Sequence, residues 1–365
     1  MSEQDYMRRA IALAGLGAGW AAPNPMVGAV IVKDGRVIGE GYHKRYGGLH
    51  AEREAIASLT ESAEGATIYV TLEPCCHYGH QPPCTEAILA NGIRRVVIGS
   101  RDPNPLVAGK GAAILREHGV EVTEDFLRAE CDSLNPDFFR FITTKLPYVV
   151  VKYAMTLDGK IASRTGASKW ITGETAREHV HRMRGRYAAI LAGIGTVLAD
   201  DPMLNCRIPD SHQPLRVVVD SNLRIPVENQ LVRSAKEFPL LIAAANVTEE
   251  KRQVLEAAGA EVVCVPGTDG RVDLGALMKL LGDRSVSSVL AEGGGEIHEA
   301  LLRAGVVNHV MAYVAPMLMG GRDAKSPIEG LGAENPQTAV RLCNRRVTEL
   351  GEDILLEYDV KEVTE

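Results

Sequence analysis

The first part of the chain alternates short apolar segments with amphipathic ones, a pattern typical of an α/β domain. Residues 25–43 contain two apolar segments joined by Asp34 and Gly35, a pair that favours a two-residue hairpin turn. Further strands are expected at 66–72, 94–99 and 120–123, and helices at 50–59, from Cys84 onward and at 111–118. A helical pattern then continues to Phe141, and residues 143–147 are typical of a linker.

Beyond Pro147 the same alternation restarts with the run VVVKYAM. Later β-like runs are AAILAG, RVVVD, PLLIAAA, EVVCV, SVLAE and VVNHVMAYVAP, and helical patterns separate them at 174–186, 249–258, 274–281 and 296–304. Strands that alternate with helices predict a mostly parallel sheet covered on both faces. Residues 347–360 favour a final hairpin-like edge. We therefore expect two α/β domains, 1–144 and 145–365.

The composition agrees with two globular domains, because 45% of the 365 residues are hydrophobic and 24% are charged. The 40 basic and 47 acidic residues give a formal charge of −7, which argues against nucleic acid as a partner. Apolar runs stay well short of the about 20 residues that span a bilayer. Seven scattered cysteines do not suggest a disulfide scaffold. We expect a cytoplasmic protein with neither a nucleic-acid nor a membrane partner.

Three of the cysteines crowd into one short segment, Cys75 to Cys84, which follows His50-Ala51-Glu52 in the chain. One imidazole and two thiolates suit Zn²⁺, and three protein ligands leave a fourth tetrahedral position open. His50 and Cys84 each begin a helical pattern, and the positive end of a helix favours the thiolate that binds metal. The pattern indicates a zinc site formed by His50, Cys75 and Cys84.

Glu52 lies two residues after His50, and at a first helical turn both side chains can approach one metal ion. A carboxylate in that position can move protons from water to a ring nitrogen and to departing ammonia, as hydrolytic deamination requires. The competing interpretation is a closed structural site with Cys76 or His77 as the fourth ligand, in which Glu52 has no task.

The sequence H-x-E followed by P-C and a second Cys is the pattern of zinc-dependent nucleobase deaminases, although eight residues rather than two separate Cys75 from Cys84. With Asn24-Pro25 and the segment 102–105, this pattern resembles the deaminase domain of the bifunctional deaminase/reductase family of riboflavin biosynthesis. The resemblance implies a cytidine-deaminase-like three-layer domain, with Glu52 as proton shuttle. It assigns the pyrimidine pocket to Asn24, His43, Asp102 and Asn104. Cys76 and His80 depart from the family pattern.

Three segments carry the chemistry expected of the second half: 152–159 at the end of a strand, 193–202 after another, and 292–296 between a third strand and a helix. Glycine-rich turns before a helix let backbone N–H groups approach a phosphate. In a parallel sheet such turns gather at the carboxyl ends of the strands. The combination resembles the reductase domain of the same family, whose fold is related to dihydrofolate reductase, and it implies NADPH as hydride donor.

This resemblance covers nearly the whole chain and implies a role for individual residues. The positions that match cofactor contacts are Ala154, Trp170, Thr196, Asp200, Ser221, Gly294, Gly295 and Glu296. Those that match the substrate side are Ser168, Arg184, Leu204, Arg207 and Glu292. Guanidinium groups at 184 and 207 suit a phosphate. We expect Lys152 and Asp200 to polarise the substrate and handle protons, although the two could instead form an ordinary surface pair.

The sequence thus predicts a bifunctional, homo-oligomeric enzyme with one Zn²⁺ per chain and a phosphorylated pyrimidine as substrate. Its first domain would deaminate 2,5-diamino-6-(5-phosphoribosylamino)pyrimidin-4-one, and its second would use NADPH to reduce the ribosyl group to ribityl. The alternatives are a nucleobase deaminase of other specificity fused to an unrelated second domain, a dihydrofolate-type reductase with a structural zinc module, and a zinc-stabilised ligand sensor.

Overall fold

The computed structural model describes residues 1–79, 81–104 and 106–361, so His80 and Pro105 lie outside the described residues. The chain separates into two units, Met1–Lys145 and Leu146–Glu365. The linker prediction was partly wrong, because Thr143 and Thr144 complete a helix that ends with Lys145 at a φ of 61°.

The first unit contains the predicted hairpin, in which Asp34 and Gly35 adopt positive φ values of 50° and 75°. Its sheet has the order β2-β1-β3-β4-β5, with antiparallel pairing of β1 to β2 and β3 and parallel pairing of β3, β4 and β5. The strands are β1 (Gly28–Lys33), β2 (Arg36–Tyr42), β3 (Thr67–Leu72), β4 (Arg95–Ser100) and β5 (Glu121–Thr123). The helices are α1 (Glu3–Gly15), α2 (Ala51–Ala57), α3 (Cys84–Ala90), α4 (Lys110–Glu117), α5 (Arg128–Asp132) and α6 (Pro136–Thr144).

Alternate residues of these strands face opposite sides of the sheet and bury separate clusters. Val30 and Val97 pack on one side with Met7 of α1. Ile68 and Ile98 pack on the other side, in a cluster that includes residues of α2, α3, α4 and α6. A sheet between two helical layers confirms the three-layer prediction.

The second unit is built on a sheet of the order β10-β9-β8-β7-β11-β6-β12-β14-β13, parallel from β10 to β12 and antiparallel beyond. The strands are β6 (Tyr148–Thr156), β7 (Ala189–Gly193), β8 (Leu215–Val219), β9 (Leu240–Ala244), β10 (Glu261–Cys264), β11 (Ser288–Ala291), β12 (Val307–Ala315), β13 (Leu342–Leu350) and β14 (Asp353–Val360). The helices are α7 (Glu174–Arg186), α8 (Ile194–Asp200), α9 (Gln230–Arg233), α10 (Glu249–Ala257), α11 (Leu274–Asp283) and α12 (Gly295–Arg303).

Helices cover both faces of this sheet, as predicted. Ile190 and Val218 pack in a cluster with residues of α7, α8, α9 and α10, whereas Leu191 and Val217 pack with residues of α11 and α12. The final hairpin begins at Leu342, earlier than predicted, because the mostly exposed residues of β13 carry no apolar alternation. None of the helices in the described ranges is long and apolar enough to cross a membrane.

Candidate active sites

Three metal donors meet where two helices of the first unit begin and one strand ends. His50 directly precedes α2, Cys84 is the first residue of α3, and Cys75 follows β3. The Nδ1 atom of His50 lies 3.5 Å from the Sγ atom of Cys75 and 3.4 Å from that of Cys84. All three donor atoms lie within 4.8 Å of one another. One nitrogen and two sulfurs at this spacing fit tetrahedral Zn²⁺.

The state of the Cys75 thiol also fits a metal ligand. A hydrogen bond with the Cys84 thiol and another with His50 lower the pKa of Cys75 to about 4, against the opposing effect of burial. The backbone N–H of Cys84 also donates to the Cys75 sulfur, over 3.4 Å. Cys75 is therefore present as the thiolate, which is the form that binds metal.

Glu52 lies in the first turn of α2 and is only 3% exposed. Burial raises the pKa of its carboxyl, and the neighbouring charge of Cys75 acts in the same direction. The carboxyl also hydrogen-bonds with the Cys84 thiol. The Glu52 carboxyl group therefore lies beside the metal donors and contacts the Cys84 thiol, as the first-turn position predicted.

The alternative of a closed four-ligand site finds no support in the geometry. The Cys76 thiol donates to the carbonyl of Leu106 over 3.7 Å. Within residues 1–79, 81–104 and 106–361, the donor cluster comprises His50, Cys75 and Cys84 alone. The arrangement is that of a three-ligand site with one coordination position left for water or substrate.

Asn24 and His43 lie together beside this cluster. The His43 ring packs edge-on against the His50 ring, with 5.5 Å between the ring centroids. Burial lowers the pKa of His43, so the ring is neutral, and its Nδ1–H donates to the carbonyl of Leu49 over 2.9 Å. Its Nε2 therefore accepts from the Asn24 amide over 3.1 Å, and within the described ranges 1–79, 81–104 and 106–361 the amide oxygen of Asn24 takes no hydrogen bond, so it can accept one from a substrate amino group.

Asp102 and Asn104 follow the end of β4, and Asp102 lies near enough to Cys75 to feel its charge. Burial raises the pKa of Asp102 to about 6, and the charges of Glu73 and Cys75 act on the same carboxyl. Its Oδ1 accepts the backbone N–H of Asn104 over 2.8 Å. Of the four residues expected in the pyrimidine pocket, His43 and Asp102 therefore lie near a metal donor. Asn24 is hydrogen-bonded to His43, and Asn104 to Asp102.

Glu73 supports the metal-binding loop, a role that sequence reasoning missed although the residue stands two positions before Cys75. Its buried carboxylate accepts the backbone N–H groups of Gly109 and Ala112, over 3.0 and 3.2 Å. The carboxylate thus holds the start of α4 against this loop. The signal that could have found it is an acid placed between an apolar strand and a cysteine.

In the second unit, Lys152, Arg184 and Glu292 form a buried ionic cluster. The Arg184 guanidinium donates to both carboxylate oxygens of Glu292, over 2.7 and 2.9 Å, and the Lys152 ammonium lies 3.4 Å from one of them. The three side chains are only 15%, 7% and 13% exposed for Arg184, Glu292 and Lys152. Burial opposes ionisation of Glu292, but the charges of Arg184 and Lys152 outweigh it and hold its pKa at about 2.

Asp200 lies at the end of α8, where its Oδ1 accepts the hydroxyl of Ser168 over 3.4 Å. Lys152 is paired with Glu292 instead, and burial lowers the pKa of the lysine. The suggested surface pair of Lys152 and Asp200 was therefore wrong. The Arg184 guanidinium, which we expected to face a phosphate, donates two of its N–H groups to the carboxylate of Glu292.

The two glycine-containing loops after β7 and β11 meet at one edge of the sheet, as predicted. A methyl group at Gly294 would lie 3.5 Å from the hydroxyl of Thr196, so these two expected cofactor residues are neighbours. A methyl group at Gly295 would come within 2.6 Å of the carbonyl of Ser326, which explains why glycine stands there. The N-terminus of the nine-residue helix α12 begins here and offers backbone N–H groups to a phosphate.

His298 holds this loop, and nothing in the sequence pattern indicated it. Its buried ring accepts the backbone N–H of Gly293 at Nε2 over 3.1 Å and donates from Nδ1 to the carbonyl of Pro327 over 2.9 Å. Burial lowers the pKa of His298 to about 4, so the ring stays neutral and keeps both hydrogen bonds at neutral pH.

Three other expected cofactor residues are Ala154, Trp170 and Ser221. Ala154 pairs with Tyr313 across β6 and β12. Trp170 is exposed, and the Arg177 guanidinium lies 4.7 Å from its ring centroid. Ser221 follows β8, and its hydroxyl accepts the backbone N–H of Val272 over 3.3 Å.

Two residues expected on the substrate side lie in the loop that follows α8. Leu204 is buried with a φ of 50°, and Arg207 carries an exposed side chain. The backbone N–H of Arg207 donates to His181 of α7 over 3.3 Å. Glu296, expected to contact cofactor, is exposed in the first turn of α12.

Comparison with known proteins finds a zinc-binding deaminase region in the first unit and a reductase-type domain in the second. Residues 1–100 match the cytidine and deoxycytidylate deaminase zinc-binding region, and residues 147–356 match the RibD C-terminal domain. The riboflavin biosynthesis protein RibD of Actinobacillus pleuropneumoniae is 52% identical over 99% of this chain and 96% of its own length. That of Bacillus amyloliquefaciens is 43% identical over 97% and 95%.

Two solved structures share the whole architecture. Acinetobacter baumannii RibD has a TM-score of 0.87 at 37% identity, covering 98% of this chain and 99% of its own. A diaminohydroxyphosphoribosylaminopyrimidine deaminase/5-amino-6-(5-phosphoribosylamino)uracil reductase of Thermotoga maritima has a TM-score of 0.84 at 36% identity, covering 98% of each chain.

Fold, donor set and comparisons together define a bifunctional enzyme, in which a zinc-dependent deaminase domain precedes a reductase domain that uses NADPH. The chain belongs to the RibD family of riboflavin biosynthesis proteins. The resemblance drawn from the sequence, the fold class and the pairing of a hydrolase with an oxidoreductase are thereby confirmed.

Proposed function

We propose that the first unit removes an amino group from 2,5-diamino-6-(5-phosphoribosylamino)pyrimidin-4-one by hydrolysis, and that the second unit reduces the ribosyl group of the product to ribityl. The two activities named for the Thermotoga maritima relative support this choice of substrates. The observation that carries the deamination is the burial of Glu52 against a three-donor cluster that lacks a fourth protein ligand in the described part of the chain.

In the deaminase site, His50, Cys75 and Cys84 hold Zn²⁺, which supplies an acidified water when it is bound. Glu52 would take a proton from the attacking water and deliver protons to the ring nitrogen and to the departing ammonia. The amide oxygen of Asn24 accepts a hydrogen bond from the substrate, while its amide nitrogen stays paired with His43. The reaction exchanges one C–NH₂ group and one water for a carbonyl and ammonia.

In the reductase site, Thr196, Gly294 and Gly295 would hold NADPH, with Ala154, Trp170, Ser221, Glu296 and Asp200 around it. The bound cofactor would supply the hydride that reduces C1′ of the sugar once its ring has opened to an imine. The Lys152 ammonium, which lies 3.4 Å from a carboxylate oxygen of Glu292, polarises the imine and provides its proton, and burial lowers the pKa of this lysine, which favours release of the proton. Ser168, Leu204 and Arg207 contact the substrate.

We also propose the domain bounds 1–144 and 145–365, a homo-oligomeric assembly in the cytoplasm, and no nucleic-acid partner. The formal charge of −7 supports the last point. Light scattering on the purified protein tests the assembly, and an oligonucleotide-binding titration tests the partner.

Glu52→Gln tests the deaminase assignment, with Glu54→Gln as the matched control on the same helix, since Glu54 pairs with Lys44 at the surface. Loss of the proton shuttle should lower ammonia release by about 10²-fold or more. Zinc content, and NADPH oxidation with the deaminated substrate, should stay at the wild-type level. Undiminished ammonia release from the Glu52 variant would overturn the assignment.

A further inference from the structure

His181 lies on α7 one helical turn before Arg184, so both side chains share a face of the helix. It also contacts the loop that carries Arg207, because its Nδ1 accepts the backbone N–H of that residue and its carbonyl accepts the thiol of Cys206. The imidazole is thus placed between two residues expected on the substrate side, and no motif pointed to it.

The ring is a neutral donor in a cationic site. Burial, followed by the charges of Arg184 and Arg207, lowers the pKa of His181 to about 4. Since Nδ1 accepts a hydrogen bond, the single ring proton of the neutral form lies on Nε2. Among residues 1–79, 81–104 and 106–361, no group accepts that proton in a hydrogen bond.

The charges around His181 favour an anionic ligand. Arg184, Arg207 and Lys152 act on it with three positive charges, against the negative charge of Glu292. Glu292 occupies the guanidinium of Arg184, whereas the side chain of Arg207 is exposed. A phosphoryl group next to Arg207 would compensate the excess positive charge and could accept the Nε2 proton.

We propose that His181 binds the phosphoryl group of the reductase substrate, with Nδ1 fixed by Arg207 and Nε2–H donated to a phosphoryl oxygen. This inference rests on the proposed function, since it requires a phosphorylated substrate. His181 is a binding residue in this account and takes no part in hydride transfer.

Two substitutions separate the two ring nitrogens. His181→Asn keeps an acceptor near the position of Nδ1 and removes the distal donor, whereas His181→Gln offers a donor near the position of Nε2. His181→Asn should raise KM for the deaminated phosphorylated substrate about tenfold, the effect of one hydrogen bond to a charged group, while kcat and KM for NADPH change less than about twofold. His181→Gln should restore part of the loss. Arg182→Gln, an exposed position on the same helix, serves as control.

The dephosphorylated substrate tests whether His181 contacts the phosphoryl group. Its inhibition constant can be measured in competition with the phosphorylated substrate. This constant should be the same in the wild type and in His181→Asn. An unchanged KM in His181→Asn would overturn the proposal, because positioning of Arg207 alone would then explain the residue. A tenfold loss that persists with the dephosphorylated compound would also overturn it. If the wild type fails to oxidise NADPH with the phosphorylated substrate, the proposed function itself is wrong.

Discussion

Replacement of Glu292 by Gln removes the only carboxylate of the buried cluster and leaves Lys152 and Arg184 without their shared counter-charge. The pKa of Glu292 is about 2, against an ordinary 4.5, a difference that corresponds to about 3 kcal/mol of stability at neutral pH. Breaking a buried ion pair on one side costs about 3–5 kcal/mol, so both estimates agree. We expect the second unit to lose about 3 kcal/mol.

Hydrogen exchange in the full-length protein measures this loss, since the amides of β6 and β11 report the opening of the second unit alone. Glu256→Gln is the matched control, because its partner Arg252 lies at the surface and such pairs contribute about 0.5 kcal/mol.

The pH dependence of this stability difference provides a second test in the same experiment. Because the folded pKa of Glu292 is lowered, its stabilisation is present above pH 4.5 and is lost as the pH falls toward 2. The gap between wild type and Glu292→Gln should therefore be constant above about pH 5 and close at lower pH. A gap below 1 kcal/mol at pH 7, or one independent of pH, would refute the reasoning.

Two further substitutions have defined outcomes. Cys76→Ser should keep one zinc per chain and the wild-type rate of ammonia release, because this thiol faces the Leu106 carbonyl; elemental analysis that shows zinc loss comparable to that of Cys84→Ser would contradict this. Gly295→Ala should raise KM for NADPH about tenfold or more, because its methyl group would lie 2.6 Å from a backbone oxygen and displace the loop. Gly294→Ala meets its first neighbour at 3.5 Å and should have a smaller effect; equal KM values in the two variants would count against the close packing at Gly295.

Local sequence signals were sufficient for most of the elements and for the three donors of the zinc site. The Asp34-Gly35 turn, the exact bounds of α7 and the three metal donors follow from turn chemistry, apolar spacing and ligand chemistry, which act over a few residues. Helix α8 was not predicted, because the pattern of its seven residues indicated a glycine-containing turn after β7.

The partners inside the reductase site could not be predicted. Arg184 and Glu292 are 108 residues apart, and only the order of β7, β11 and β6 in the sheet brings their side chains together. His181 and His298 belong to no sequence motif. The role of each depends on the backbone N–H group that donates to its ring. Such contacts are set by tertiary packing, which a single sequence does not display.

X-ray absorption at the zinc edge of the purified full-length protein tests the central claim most directly, namely a three-ligand zinc site with one open position beside Glu52. The account predicts one zinc per chain with two sulfur ligands, one imidazole nitrogen and one further light atom that changes when the pyrimidine substrate is added. A third sulfur, a second imidazole, or a coordination shell that stays the same with substrate would contradict it.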